Sequence, residues 1–227
     1  MARFFHVPAA LLSVVLLVAG CDRWDEPPTL TTKHLIVEAA QTIERFRVHK
    51  DLKNFTDELD RAAAVVVLPN VIKAGFFAGG EAGNGVLLKK TADGWSYPAF
   101  YTLGAASFGL QVGVQDTAIV LILRNPGALD SVLRHQGKIG ADTGATVFVQ
   151  GVGMEASTTT NLGADILAFA NSNVGAYLGA SLEGAVLATR HDLNRAYYGQ
   201  EATPDTILSG QSKNPDADPL KRTLGGG

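Results

Sequence analysis

The chain has a single cysteine, Cys21, in 227 residues. An internal disulfide framework and a multi-cysteine metal site are both excluded. Charged residues are sparse, and the formal net charge is only −3. Bulk charge therefore gives no basis for binding nucleic acid or another polyanion, and any basic surface must be local. Catalytic signatures are missing too. No serine sits in G-x-S-x-G, and no H-E-x-x-H occurs. His135 and His191 are isolated from any nearby cluster of ligands, and the five histidines form no metal pattern. Gly79, Gly80, Gly83 and Gly85 invite a phosphate-loop reading, but the motif's lysine and Ser/Thr are absent and no helical pattern follows. Nothing supplies a nucleophile beside a base. Asp142 and Asp165, each in a Gly-Ala-Asp triplet, are candidate paired carboxylates for an enzyme acting on lipid or cell-wall material. They read better as turn or strand-end residues. The expectation is a binding protein without catalysis, metal or cofactor.

The N-terminus is more informative. Arg3 gives a positive start, and the apolar run from Val7 to Val18 is too short to span a bilayer comfortably. It ends in Val18-Ala19-Gly20-Cys21, which resembles the lipobox of bacterial lipoproteins. That resemblance implies a signal peptide over residues 1–20, cleavage before Cys21, diacylglycerol on its sulfur and an acyl group such as palmitate on its amine. The alternative is an ordinary signal peptide or buried helix with an incidental cysteine. One acyl chain binds a membrane marginally at about 0.8 kcal/mol per buried methylene, whereas several chains hold firmly. The domain is then tethered to a bacterial envelope membrane, facing the periplasm. Asp22 resembles an inner-membrane retention signal of enteric bacteria, and inner versus outer membrane stays open.

Residues 21–32, with Pro27-Pro28, read as a lipidated tether. A helical stripe follows in Ile36, Ala40, Ile43 and Arg47, with Leu35, Ala39 and Phe46 beside it. A second helix is predicted from about Asp51 to Ala64. Lys33, Arg45, Arg47, Lys50 and Lys53 gather close to the anchor, with His34 and His49 among them. They are candidate contacts to anionic lipid headgroups, each worth up to ~1 kcal/mol at an anionic surface. They also fit a solvated helix face, offset by Glu38, Glu44, Asp51, Asp57 and Glu58.

From Ala64 the pattern turns to β. Val65–Leu68 reads as a buried strand closed by Pro69. Strands at Ala74–Gly79 and Gly85–Lys89 are predicted around a type I′ hairpin at Asn84-Gly85. Asp93-Gly94 is the next turn. Gly94–Val114 reads as two strands joined by a short turn, and Thr117–Leu123 as a core strand. Asn125-Pro126 starts a helix. Further strands are predicted at Thr146–Met154, Ile166–Ala170, Val174–Ser181 and Gly184–Ala188, with a bulge at Glu183-Gly184. A helical turn at Asp192–Tyr198 and a short helix from Thr203-Pro204 to Leu208 follow. Ser209–Gly227 reads as a disordered tail. The expected fold is one α+β domain built on an antiparallel meander.

Several blocks resemble the SYLF domain, also called the Ysc84 actin-binding domain. They are Trp95–Tyr101 (WSYPAFY), Ser107–Gly113 (SFGLQVG), Gly140-Ala141-Asp142, Gly179–Ala185 (GASLEGA) and Tyr197-Tyr198-Gly199. The resemblance covers residues 33–208. It implies an antiparallel β-barrel-like core with about three helices packed on it, and binding of membrane lipids, phosphoinositides above all. It places the lipid-binding segment at Lys33–Lys53. Actin binding, known for some members, does not suit a protein facing the periplasm. A structural or protein-interaction role in the envelope is the alternative.

Overall fold

The computed structural model describes residues 26–134, 138–139, 146–152, 164–171, 182 and 184–225, with backbone alone at 74–78 and 107–114. Cys21, the signal segment, Asp142 and the strand expected at Val174–Ser181 lie outside the described residues.

Two long strands form the centre. β1 (Ala64–Thr91) pairs antiparallel with β3 (Ala99–Leu123), in register from Ala64↔Leu123 to Leu87↔Ala99. Side chains alternate across a strand, so each apolar run serves two cores. Ala64, Val66, Leu68, Ile119, Leu121 and Leu123 face one cluster. Val65, Val67, Ala118, Val120 and Ile122 face the other. Burial on both faces explains why these runs are continuous rather than alternating. β5 (Ile166–Ala170) adds to β3, and β4 (Val147–Gly151) runs parallel to β5. β6 (Val186–Thr189) pairs with the start of β3, and β2 (Gly94–Trp95) pairs with the end of β1.

The expected short strands are thus merged. Pro69 does not close a strand. It sits where the β1–β3 register shifts between Leu68 and Val71, a position at which a missing N–H is tolerated. Asn84-Gly85 is no hairpin either, since Asn84 pairs with Thr102 and Gly85 with Tyr101 in mid-ladder. The chain reverses at Asp93-Gly94 instead, where Gly94 has φ +109°. The turn expected inside Gly94–Val114 is absent, because β3 runs unbroken from Ala99 and only the two-residue β2 precedes it.

The β1–β3 ribbon doubles back on itself. Lys90 N–H donates to the Ala63 carbonyl at 2.8 Å, joining the end of β1 to the residue just before its start. Lys73 and Glu81 form an ion pair at 2.7 Å within the same strand. The result is a curled sheet of order β2-β1-β3-β5-β4, with β6 on β3. Among the described residues the ladder ends at β2 and β4, so the barrel-like expectation gives way to an open, curled sheet.

Six α-helices are described rather than about three. On the outer face lie α1 (Pro28–Val48) and α2 (Phe55–Arg61). α3 (Pro126–Arg134) and α5 (Pro204–Leu208) pack on the other face. α4 (His191–Tyr198) and α6 (Asp218–Gly225) complete the outer layer, α6 entered through a 3₁₀ turn at Pro215–Ala217. Phe55 meets Phe46 and Phe169 edge-on at 5.4 and 5.2 Å, which pins α1 and α2 to β5.

Two expectations about the termini are revised. α1 starts at Pro28, which suits a first helical turn, so the helix takes over part of the expected tether. The expected disordered tail carries α6, whose Leu220 and Leu224 are buried among α1 residues and β-strand residues. Four positions apart, the two leucines share one helix face.

Candidate functional site

α1 is built in two halves around its axis. Leu35, Ile36, Ala39, Ile43 and Phe46 form the buried stripe. Arg45 and Arg47 in the last turn complement the negative helix end. The outer face is unusual. Leu30, Val37 and Val48 are 46, 55 and 81% exposed, and they are the exposed large hydrophobic residues among the described ones. At 100° per residue the three fall within about 20° of one another. They are spaced about 10 and 16 Å along the axis, with Gln41 and Glu44 exposed between them on the same side, so the face is mixed with an apolar component.

The five candidate cations do not act alike. Lys33, Arg45, Lys50 and Lys53 are exposed. Arg47 is turned inward, donating to the Leu224 carbonyl at 3.1 Å, with Asp60 at 3.8 Å. It fastens the end of α6 to α1 and is withdrawn from the surface set. Nor do the remaining four form one patch. Lys33 lies twelve residues before Arg45, about 18 Å along the axis and about 120° around it. Arg45, which donates to Thr42 Oγ1 at 3.0 Å, sits at the C-terminal end of α1, close in sequence to Lys50 and Lys53. Glu44 and Asp51 are exposed at the same end, whereas Glu58 is engaged with Arg124 at 3.3 Å.

Lys33 belongs to a different neighbourhood. With Val37, Tyr197, Asp216, Asp218 and Arg222 it lines an open groove of about 600 Å³ between α1, α4 and α6. Asp218 Oδ1 accepts from the Tyr97 hydroxyl at 3.0 Å, and Lys221 sits 4.0 Å over the Tyr97 ring. Burial pushes the Tyr197 hydroxyl pKa upward, and Asp216 and Asp218 push it further by repelling the phenolate. Three of these groove residues come from the stretch read as a tail. The available signal was Leu220 and Leu224 behind Pro215 and Pro219, a short helix with a prolyl start.

Asp165 behaves as the turn residue it was read as. Its carboxylate accepts from the Thr146 N–H at 3.1 Å, the Thr146 hydroxyl at 3.0 Å and Asn125 Nδ2 at 2.9 Å. These bonds, with Thr146 N–H foremost, hold its pKa below the ordinary carboxylate value. A depressed folded-state pKa adds stability above the unfolded value that is lost as pH falls through the folded one. Asp165→Asn is therefore expected to show a shallower loss of stability than wild type below about pH 4, read by urea midpoints across pH. Among the described residues, no three of His, Cys, Asp and Glu gather as a metal site. No described helix is long and apolar enough to cross a membrane.

Comparison with known proteins adds the family. The Ysc84 profile, described as Las17-binding protein actin regulator, matches residues 104–226. LAS seventeen-binding protein 3 of Saccharomyces cerevisiae is 34% identical over 172 residues, covering 74% of this chain and 37% of that protein. Protein YSC84 of the same yeast is 35% identical over 170 residues, covering 73% and 36%. The human SH3 domain-containing YSC84-like protein 1 is 26% identical over 187 residues, covering 76% and 54%. The chain thus spans between a third and about half of the length of these relatives.

Proposed function

This chain belongs to the Ysc84 family, and on that premise we propose that it is a non-catalytic module docking on a membrane surface through the outer face of α1. The observation that carries the reading is the line of Leu30, Val37 and Val48, exposed on one helix face. Apolar side chains on such a face enter the headgroup boundary, while neighbouring cations meet anionic lipid. Lys33, Arg45, Lys50 and Lys53 are the exposed cations flanking that line. The ligands are anionic headgroups, phosphoinositide-like in charge. Lipid chains on Cys21 tether the domain to a bacterial envelope membrane, and tethering raises the local lipid concentration enough for weak contacts to suffice. α1 begins seven residues after Cys21, so a membrane-held cysteine keeps α1 close to the surface.

Co-sedimentation of the chain from Asp22 onward with vesicles tests this. Binding is expected to rise with anionic lipid content and to weaken with salt. Val37→Glu combined with Val48→Glu is expected to reduce binding about tenfold or more without changing the far-ultraviolet spectrum, because both sites are exposed. Equal binding by the double variant sinks the assignment of this face. A second reading, a protein partner seated on the same face, draws on the yeast relatives, one of them named for binding Las17. A stoichiometric partner recovered from solubilised envelope, and lost in the same double variant, supports it.

A further inference from the structure

The segment from Asn214 to Gly225 is closed on itself and only lightly fastened to the domain. It buries Ala217, Leu220 and Leu224 and leaves its other side chains exposed or half-buried. Its own bonds are local. The Asp216 N–H donates to Asn214 Oδ1 at 3.1 Å, the Ala217 N–H to the Asn214 carbonyl at 3.1 Å, and the Thr223 hydroxyl to the Pro219 carbonyl at 3.1 Å. Among the described residues, no backbone–backbone hydrogen bond links the segment to the rest of the chain. Its polar fastenings all pass through side chains. Asn214 Nδ2 donates to the Tyr197 carbonyl at 3.0 Å, the Tyr97 hydroxyl to Asp218 Oδ1 at 3.0 Å, and Arg47 Nη2 to the Leu224 carbonyl at 3.1 Å. Lys221 adds its ammonium over the Tyr97 ring. The chain before the segment belongs to α5, because the N–H groups of Gly210, Gln211 and Ser212 bond back to the Ile207 and Thr206 carbonyls. Lys213, exposed, is the joint between these two locally closed units.

The surface beneath it is imperfectly satisfied, which is a second, independent sign. Arg47 Nε is buried without a hydrogen-bond partner among the described residues, although Nη2 of the same guanidinium holds the last turn of α6. Trp95 Nε1 is likewise buried without a partner. Trp95 is one of the two residues of β2, on which α6 packs, and it shares a core cluster with Leu220 and Leu224. A buried donor without an acceptor is costly, and water that reaches it removes the cost. Seating the segment thus carries a penalty that opening relieves. Few buried apolar contacts and no shared backbone bonds place it at the low-stability end of the molecule.

We propose that residues 214–225 form a strap that lifts as one unit about Lys213 while the sheet and α1 stay folded, uncovering Trp95 and the flank of α1 beside Val37. Ile36 and Val37 line the same groove as Pro219 and Arg222, so the strap lies along the edge of the exposed α1 face. Lifting it adds Ile36 and an indole to that face. An indole pairs an apolar body with one polar N–H and is at home at a membrane boundary. A membrane that takes up the open form better than the closed one draws the strap open by that difference in affinity. This last step rests on the membrane-surface reading; the lifting of the strap does not.

The test has two arms. In the first, hydrogen exchange of the chain from Asp22 onward is followed by nuclear magnetic resonance in water and in low urea. The amides of Ala217, Arg222, Thr223 and Leu224 are expected to share one opening constant, about a hundredfold or more above that of Val120–Leu123. The Trp95 indole N–H is expected to share it too. Urea is expected to change this constant little while steeply raising that of Val120–Leu123, because lifting a strap exposes far less surface than unfolding the sheet. Tyr97→Phe removes one fastening near the start of α6 and is expected to raise the shared constant about tenfold, at Leu224 as well as at Ala217. Exchange that spreads from Leu224 towards Ala217, with Tyr97→Phe silent, is fraying of the chain end and overturns the proposal. Exchange of α6 or of the Trp95 indole only together with β3 overturns it as well. In the second arm, both proteins are sedimented with vesicles of fixed anionic content. Tyr97→Phe is expected to bind about threefold or more tightly than wild type, since opening is no longer the same tax on binding. A strap loosened by Tyr97→Phe with vesicle binding unchanged overturns the membrane link and leaves the strap standing. No vesicle binding by either protein overturns the membrane-surface reading and likewise leaves the strap standing.

Discussion

Gly85→Ala is expected to lower the stability of the fold by about 3 kcal/mol or more. In an ordinary strand the same change helps, because glycine loses more backbone entropy on folding than alanine, by about 0.5–1 kcal/mol. Sterics reverse the sign here. A Cβ at Gly85 lies 2.3 Å from the Val67 carbonyl oxygen and 2.8 Å from Leu68 Cδ2. The leucine can rotate. The carbonyl cannot, since it belongs to a backbone paired in register with β3 at Val120. Gly83 repeats the arrangement, with 2.5 Å to the Asn70 carbonyl oxygen. These two contacts are where the doubled-back ribbon crosses itself. Gly104 is the control: it lies on β3 with nothing within 4 Å of the added Cβ, and Gly104→Ala is expected to change stability by less than about 1 kcal/mol. Urea unfolding of the three proteins settles the matter. A Gly85→Ala midpoint as close to wild type as that of Gly104→Ala removes the crossing as a constraint on the fold.

Gly85 also shows where the sequence was legible and where it was not. Strand content was readable because Val65–Leu68 and Thr117–Leu123 are runs that only a sheet covered on both faces uses well. The amphipathic period of α1 was readable, but the stripe centres on Leu35, Ala39, Ile43 and Phe46 rather than on Ile36, Ala40, Ile43 and Arg47. Asn84-Gly85 carried a strong local turn signal, but its glycine serves a packing contact with Val67 in mid-strand. The local pattern is the same for both uses, and only the tertiary crossing separates them. The merger of short strands into β1 and β3 failed for a related reason. A strand that bends without leaving its ladder looks, in sequence, like several strands.

The site divides in the same way. The cations at Lys33, Arg45, Lys50 and Lys53 were legible as exposed charge near the N-terminus. Their separation around and along α1 was not, nor was the inward turn of Arg47, which depends on a partner 177 residues away. The apolar line of Leu30, Val37 and Val48 follows from helical geometry once α1 is known to start at Pro28. Read as a tether, that segment hides its first member. The groove was out of reach because half of it comes from a stretch with few apolar residues, which α1 orders by covering Leu220 and Leu224.

Asn194→Asp, a change of one amide to one carboxylate, is expected to be among the most damaging single substitutions in the chain. Asn194 is fully buried on α4. Its Oδ1 accepts from the Phe100 N–H at 2.9 Å, and its Nδ2 donates to the Phe100 carbonyl at 3.2 Å. β6 ends its pairing with β3 at Thr189, opposite Tyr101. Phe100 is the next residue, so the amide of Asn194 continues the ladder from a helix. A carboxylate keeps the first bond, loses the donor of the second and sets a buried negative charge against a carbonyl oxygen. Loss of about 3–5 kcal/mol is expected at neutral pH. Protonation restores a donor, so burial and the carbonyl together raise the folded-state pKa of the new carboxyl above its unfolded value. The folded state then holds the proton to higher pH than the unfolded state. Relative to wild type, the variant is least impaired below the unfolded carboxyl pKa, and the deficit grows as pH rises through the folded value. Asn194→Ala separates the two effects. The Phe100 carbonyl keeps the Arg190 N–H at 3.0 Å, so only the Phe100 N–H is orphaned. A deficit of about 2 kcal/mol, flat with pH, is expected. Denaturant midpoints for the two variants between acidic and neutral pH decide it: an Asn194→Asp deficit as flat as that of Asn194→Ala shows that no charge is trapped there, and that α4 does not complete the edge of β3.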